Sequence, residues 1–135
     1  MLAYREHFSP SESFPEPHAI LAASVVCAET EERAGELASS MGLAWVRMRT
    51  GKPGPLPSPE EALSYPYSTA ERRLLESYRS MQVVGDPESV REHLTGMAES
   101  TGADEVMVTT MVYDHGARLR SYELLAEAFG LEGGR

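Results

Sequence analysis

At 135 residues, with 41% hydrophobic and 24% charged side chains, the chain has the makings of one globular domain with a real core, and its composition is neither disordered, collagenous nor membrane-spanning. Twelve basic against twenty-one acidic residues give a formal charge of -9, which opposes counterion-release binding and makes nucleic acid and anionic membrane poor partners. A single cysteine, Cys27, rules out an internal disulfide, and residues 1–7 lack the basic and apolar regions of a secretory signal, so a reduced, cytoplasmic protein is expected.

The start, Met1-Leu-Ala-Tyr-Arg-Glu-His-Phe8, reads as the middle of a helix. Residues 19–28, Ala-Ile-Leu-Ala-Ala-Ser-Val-Val-Cys-Ala, are nearly continuous in apolar side chains, as a strand covered on both faces requires. A helix of about five turns follows, capped by Thr30, with Glu31 and Glu32 at its positive end and Ala34, Leu37, Ala38, Met41, Ala44, Trp45 and Met48 turned inward. Residues 50–67 carry four prolines within the seven residues 53–59, a density that predicts a long surface loop without regular structure, either lid or connector.

Ser68-Thr-Ala-Glu71 fits a capping box, and Leu74, Leu75, Tyr78 and Met81 supply the apolar face of the helix behind it. A short strand over 81–84 then runs into Gly85-Asp-Pro-Glu88, where Asp86 caps, Pro87 suits the first helical position, and Val90, Leu94, Met97 and Ala98 face inward. Gly102 closes that helix and residues 105–112 predict a further strand. Asp114 caps a last helix whose buried stripe would be Leu119, Tyr122, Leu125, Ala126 and Phe129, with Gly130, Gly133 and Gly134 ending the chain in a frayed tail.

The alternation of strand and helix places the chain in the α/β class as a single domain, 1–135, with parallel β/α units and right-handed crossovers. Three strands are few for a parallel sheet, whose faces and edges both need protection. The expectation is a piece of a larger barrel or sheet, or a chain that self-associates to complete one.

No phosphate-binding glycine motif, HExxH or GxSxG is present, and His7, His18, His93 and His115 are too scattered for a local metal cluster. His93 reads as a solvent-edge residue, Cys27 has no adjacent group that would lower its pKa, and Ser24 reads as strand packing. His115 sits just past the last strand, where ligands of α/β folds gather, and it shares that place with Thr109, Thr110 and Tyr113. Against a binding role stands simple helix-start hydrogen bonding. Arg118 and Arg120 have the reach for an anionic ligand, although such arginines more often pair with surface carboxylates.

Three stretches, Val83-Val-Gly-Asp-Pro-Glu-Ser-Val90, Thr101-Gly-Ala-Asp-Glu-Val-Met-Val-Thr-Thr110 and the run from Asp114 to Glu127, in this order and spacing resemble the C-terminal end of luciferase-like flavin-dependent monooxygenases, closest to the alkanal-monooxygenase-like branch. The likeness extends back through the proline loop and the first strand–helix pair. It implies a partial (β/α)8 TIM barrel of about three βα units, completed by self-association as a two-fold dimer or by a complementary barrel fragment. It also implies FMN as cofactor, an aldehyde or other small organic substrate and dioxygen. The family's flavin contacts come largely from strands this sequence lacks, so the carry-over is confined to strand ends: Thr109, Thr110 and Tyr113, beside Gly85. On this reading the proline loop is a candidate lid and the isolated chain is not active. The rival reading is a non-catalytic α/β module that dimerises and binds at most a small ligand.

Overall fold

The computed structural model describes residues 1–131. In chain order these form α1 (Leu2–Glu6), β1 (Ile20–Cys27), α2 (Glu31–Arg49), α3 (Pro59–Ser64), α4 (Thr69–Arg79), β2 (Gln82–Gly85), α5 (Pro87–Thr101), β3 (Glu105–Thr109) and α6 (His115–Ala128). Gly133 and Gly134 of the expected tail lie outside the described residues.

Side chains that satisfy orphan backbone groups set most helix boundaries. Thr30, Ser58, Ser68, Asp86 and Asp114 each accept a hydrogen bond from the amide three residues on, and Ser68 with Glu71 completes the reciprocal capping box. Each such cap contributes about 1 kcal/mol. Gly102 ends α5 with φ 66°, a left-handed conformation that a side chain would strain.

The same capping code corrects one expectation. Residues 50–67 are not devoid of regular structure, because Ser58, Pro59, Glu60 and Glu61 are a cap, a first-turn proline and two acids at the positive helix end, and they nucleate α3. Arg47 of α2 pins this short helix through Glu61, 2.6 Å away.

The sheet is parallel throughout, in the order β2-β1-β3. Three successive staves of a barrel would stand in chain order, whereas here β1 is central. The short β2 pairs only with Ser24 to Cys27 of β1, while β3 pairs with Ile20 to Ser24, so the two neighbours grip different halves of the central strand on opposite sides.

Alternation along β1 divides the core. Ala23, Val25 and Cys27 pack with Val83, with Val90 and Leu94 of α5, and with Leu124 and Leu125 of α6. On the other face, Val26 and Ala28 pack with Ala34, Leu37 and Ala38 of α2 and with Val112. The expected two-faced coverage holds only for the carboxyl half of β1. Toward its start the α2 face is bare: Ile20 is 49% exposed, and Met107, paired with Ala22 from β3, is 51% exposed.

Other inward assignments shift for the same reason. Tyr122 and Phe129 are exposed on the outer side of β3, as is Leu119 on α6, and Ser121, Leu124 and Leu125 carry the buried stripe. Met48 and Met81 are also exposed, whereas Leu43 and Val46 bury the face of α2 that meets α3 and α4. At that contact Gly42 permits close approach, since a Cβ there would lie 2.6 Å from Leu75 Cδ1. β3 itself ends at Thr109, short of 112, and alternates between exposed and half-buried residues as an edge strand does.

Candidate functional site at the carboxyl ends of the strands

All three strands deliver the chain into helix starts at one edge of the sheet: β1 into α2, β2 into α5 and β3 into α6. In α/β folds this edge is where ligands are held. A crevice of about 230 Å³ opens here, lined by Cys27, Ala28, Glu29, Arg33, Leu37, Asp114, Gly116, Ala117 and Arg120.

Its charges are already spoken for. Arg120 donates to Glu29 at 2.9 Å and reaches Glu123 and Glu127 at 3.2 and 3.5 Å. The hydrogen bond from Arg120 holds the Glu29 carboxyl below its usual range. Arg33 turns to Glu36 on its own helix at 2.9 Å. These are the carboxylate pairings expected of surface arginines. Asp86 is spent as the cap of α5, where the Ser89 amide keeps its carboxyl ionised.

Cys27 is 1% exposed, and burial first, then the Asp86 and Glu29 charges, push its thiol up to about 11. It is therefore no nucleophile at neutral pH.

The four residues singled out from the sequence are not brought together. Thr110 is buried: its hydroxyl donates to the Val25 carbonyl at 2.8 Å, and its amide donates to the Tyr122 hydroxyl at 3.0 Å. Thr109 is exposed on the bare sheet face, in register with Ser24 of β1, so the two hydroxyl residues share one face. Tyr113 is exposed and lines an open depression with Arg33, Glu36, Pro59 and Leu63, which carries the proline loop to the strand-end edge. His115 opens α6 and takes a 2.9 Å contact from Arg118 at Nδ1.

Sequence reasoning passed over Ser24, Glu29 and Arg33 as site residues. The register that sets Ser24 beside Thr109 joins positions 85 apart, and no local signal carries it. Glu29 and Arg33, flanking the capping Thr30 just past β1, were legible as strand-end residues.

Among the described residues, no group of His, Cys, Asp and Glu is arranged to hold a metal, and no helix is long and apolar enough to cross a membrane. Flavin does not fit this crevice alone. The crevice is smaller than the roughly 300–1,000 Å³ of ligand pockets, and Arg120 is neutralised by three carboxylates.

No family model matches the chain. It is 36% identical over 121 residues to a luciferase-like monooxygenase of Escherichia coli (strain K12), an alignment covering 90% of this chain and 36% of that protein. It is 40% identical over 126 residues to the uncharacterized protein YceB of Bacillus subtilis (strain 168), covering 93% of this chain and 38% of YceB. The crystal structure of apo-MsnO8 superposes with a TM-score of 0.83 at 37% identity, over 96% of this chain and 40% of that one. The homologues thus include a luciferase-like monooxygenase, in keeping with the resemblance of the three sequence stretches. The chain spans a little over a third of the length of the curated relatives it matches.

Proposed function

We propose that the chain is a C-terminal segment of a luciferase-like, FMN-dependent monooxygenase, an enzyme that oxidises an aldehyde or other small organic substrate with dioxygen in a reducing cytoplasm. β1 and β3 are then adjacent staves of its (β/α)8 barrel, and β2 is a short side strand at the mouth. The observation that carries this reading is the bare face of the β1–β3 pair. There Ile20, Ala22 and Met107 form an apolar floor between Glu105 at its start and Ser24 with Thr109 at its carboxyl end, a surface suited to the wall of an enclosed ligand site.

In this reading the chain contributes one wall, with Tyr113 and the α3 segment as its rim. The remaining walls come from a complementary barrel fragment or a second copy, and the isolated chain has no activity. The small crevice and the fully paired Arg120 favour one further reading, a non-catalytic dimerising module.

Titration with oxidised and reduced FMN tests the proposal, following flavin fluorescence on the chain alone and on the chain mixed with the complementary portion of a full-length relative. Binding in the mixture, with aldehyde oxidation following it, is expected. Failure of the mixture to bind up to about millimolar FMN, an interaction of only about 4 kcal/mol, leaves the non-catalytic module.

A further inference from the structure

The charge of this acidic chain is unevenly placed. Residues 45–80 hold six of the twelve basic side chains but only four of the twenty-one acidic ones, so this segment is net positive. Two of those four acids are engaged: Glu61 pairs with Arg47, and Glu71 serves the capping box and the Tyr65 hydroxyl. Arg49, Lys52, Arg72, Arg73 and Arg79 are exposed, and among the described residues none has a carboxylate within ion-pair distance.

Of these cations Arg49 lies on a fixed aromatic base, and the paired Arg47 on a second. Trp45 of α2 stacks on Tyr78 of α4 with ring centroids 5.0 Å apart, and the Arg49 guanidinium lies 6.0 Å above the Trp45 ring. Tyr65 and Tyr67 meet edge to face at 4.8 Å, Arg47 lies 5.8 Å from the Tyr65 ring, and Arg72 donates to the Tyr67 carbonyl. Exposed Met48 adds apolar surface beside Trp45.

From this juxtaposition we infer that the α2–α4 face docks an acidic polypeptide segment bearing an apolar side chain. Arginine stacked on rigid aromatics is the composition of protein-binding hot spots, and positive charge free of internal partners is free to meet carboxylates. The spread selects a peptide over a compact anion, since Arg72 and Arg79 are about 10 Å apart along α4 and Arg49 stands on another helix. The face belongs to the helical layer beside β2, away from the open β3 edge, so this inference does not depend on the enzymatic reading.

Trp45 is the only tryptophan and reports from within the face. The full chain is titrated with a short, fluorescently labelled peptide of Asp and Glu around one Phe, reading peptide anisotropy and Trp45 emission at low and high salt. The expected result is saturable binding that shifts Trp45 emission and weakens about tenfold or more both in Arg72→Glu/Arg79→Glu and at high salt. Arg91→Glu, a charge reversal on α5 outside the face, is expected to leave affinity unchanged. No saturation, unchanged affinity in the double variant, binding that leaves Trp45 silent, or preference for inorganic polyphosphate or single-stranded DNA would each overturn the inference. So would salt-dependent self-association through this face without peptide binding.

Discussion

The hydroxyl of Ser121 accepts a 3.0 Å hydrogen bond from the backbone amide of Cys27, joining α6 to the last residue of β1. The edge strand β3 ends at Thr109, opposite Ser24, so the β1 backbone beyond has no strand on that side. Side chains continue the ladder: Thr110 satisfies the Val25 carbonyl and Ser121 the Cys27 amide. Ser121→Ala leaves a buried amide unpaired and is expected to cost about 1–3 kcal/mol. Thr110→Val is expected to cost a similar amount, with Thr110→Ser restoring most of it. Urea denaturation of the three variants checks this, and an unchanged midpoint for Ser121→Ala would show that the amide finds another partner.

Cys27 makes the fold sensitive to alkali. Its thiol, ordinarily near 9.0, is pushed up to about 11 by burial and by the Asp86 and Glu29 charges. A raised folded-state pKa means the protonated form is favoured in the fold, so the stabilisation is complete below about 9 and is lost as pH rises through about 11. Unfolding free energies should therefore fall by on the order of 2 kcal/mol across that window, and Cys27→Ala should flatten the slope. Thiol-reactive disulfides should label the native chain at neutral pH only as fast as it opens.

Ser40, on α2, is fully buried and its hydroxyl has no partner among the described residues. Replacing it with alanine removes a desolvated polar group at nearly constant volume and raises helix propensity. Ser40→Ala is expected to stabilise by up to about 1–2 kcal/mol, read from the thermal midpoint. A loss of stability would mean that a buried water or backbone carbonyl takes this hydroxyl.

The exposed β1–β3 face and the free edge of β3 give the proposed self-association its test. Sedimentation at micromolar concentration is expected to show a dimer, and Met107→Lys, at the middle of β3, to shift it to monomer without changing the circular dichroism. A wild-type monomer would exclude a second copy as the cover of this face.

Asp104 clasps the start of the sheet. It accepts from the Ala19 amide at 2.8 Å and pairs with Arg5 of α1, and the Ala19 hydrogen bond, followed by Arg5, holds its carboxyl below the usual range. A lowered folded-state pKa places this contribution above the ordinary carboxylate range, and it fades as pH falls through the folded value. Asp104→Asn is expected to free α1, seen as faster amide exchange over 2–7, while β1 and α2 stay protected.

Much of this fold was legible in the sequence because helix starts are local chemistry. Thr30, Ser68, Asp86 and Asp114 each announce a cap within four residues, and Gly102 announces its stop. The same code was present at Ser58-Pro59-Glu60, but the prolines before it masked the start of α3. The sheet order was not legible, because what puts β1 between its neighbours is pairing across long separations. Nor was the turn of α6: Tyr122 and Phe129 have the spacing of a buried stripe, yet the stripe faces the groove outside β3, which no element among the described residues covers. At the strand ends, Tyr113 and His115 were correctly located at the edge, while Thr110 turned out to be a tie between β3 and β1.

The central position of β1 also bears on how the chain is made. Thr110 closes on Val25 across 85 residues, so during synthesis the β3 side of β1 waits for that length of chain before its partner appears. At about 5–20 residues per second, that interval is roughly 4–17 s. For that time the β3 edge of the most apolar stretch of the chain stays open to wrong pairing, which makes slowed translation a sensitive way to lose the protein.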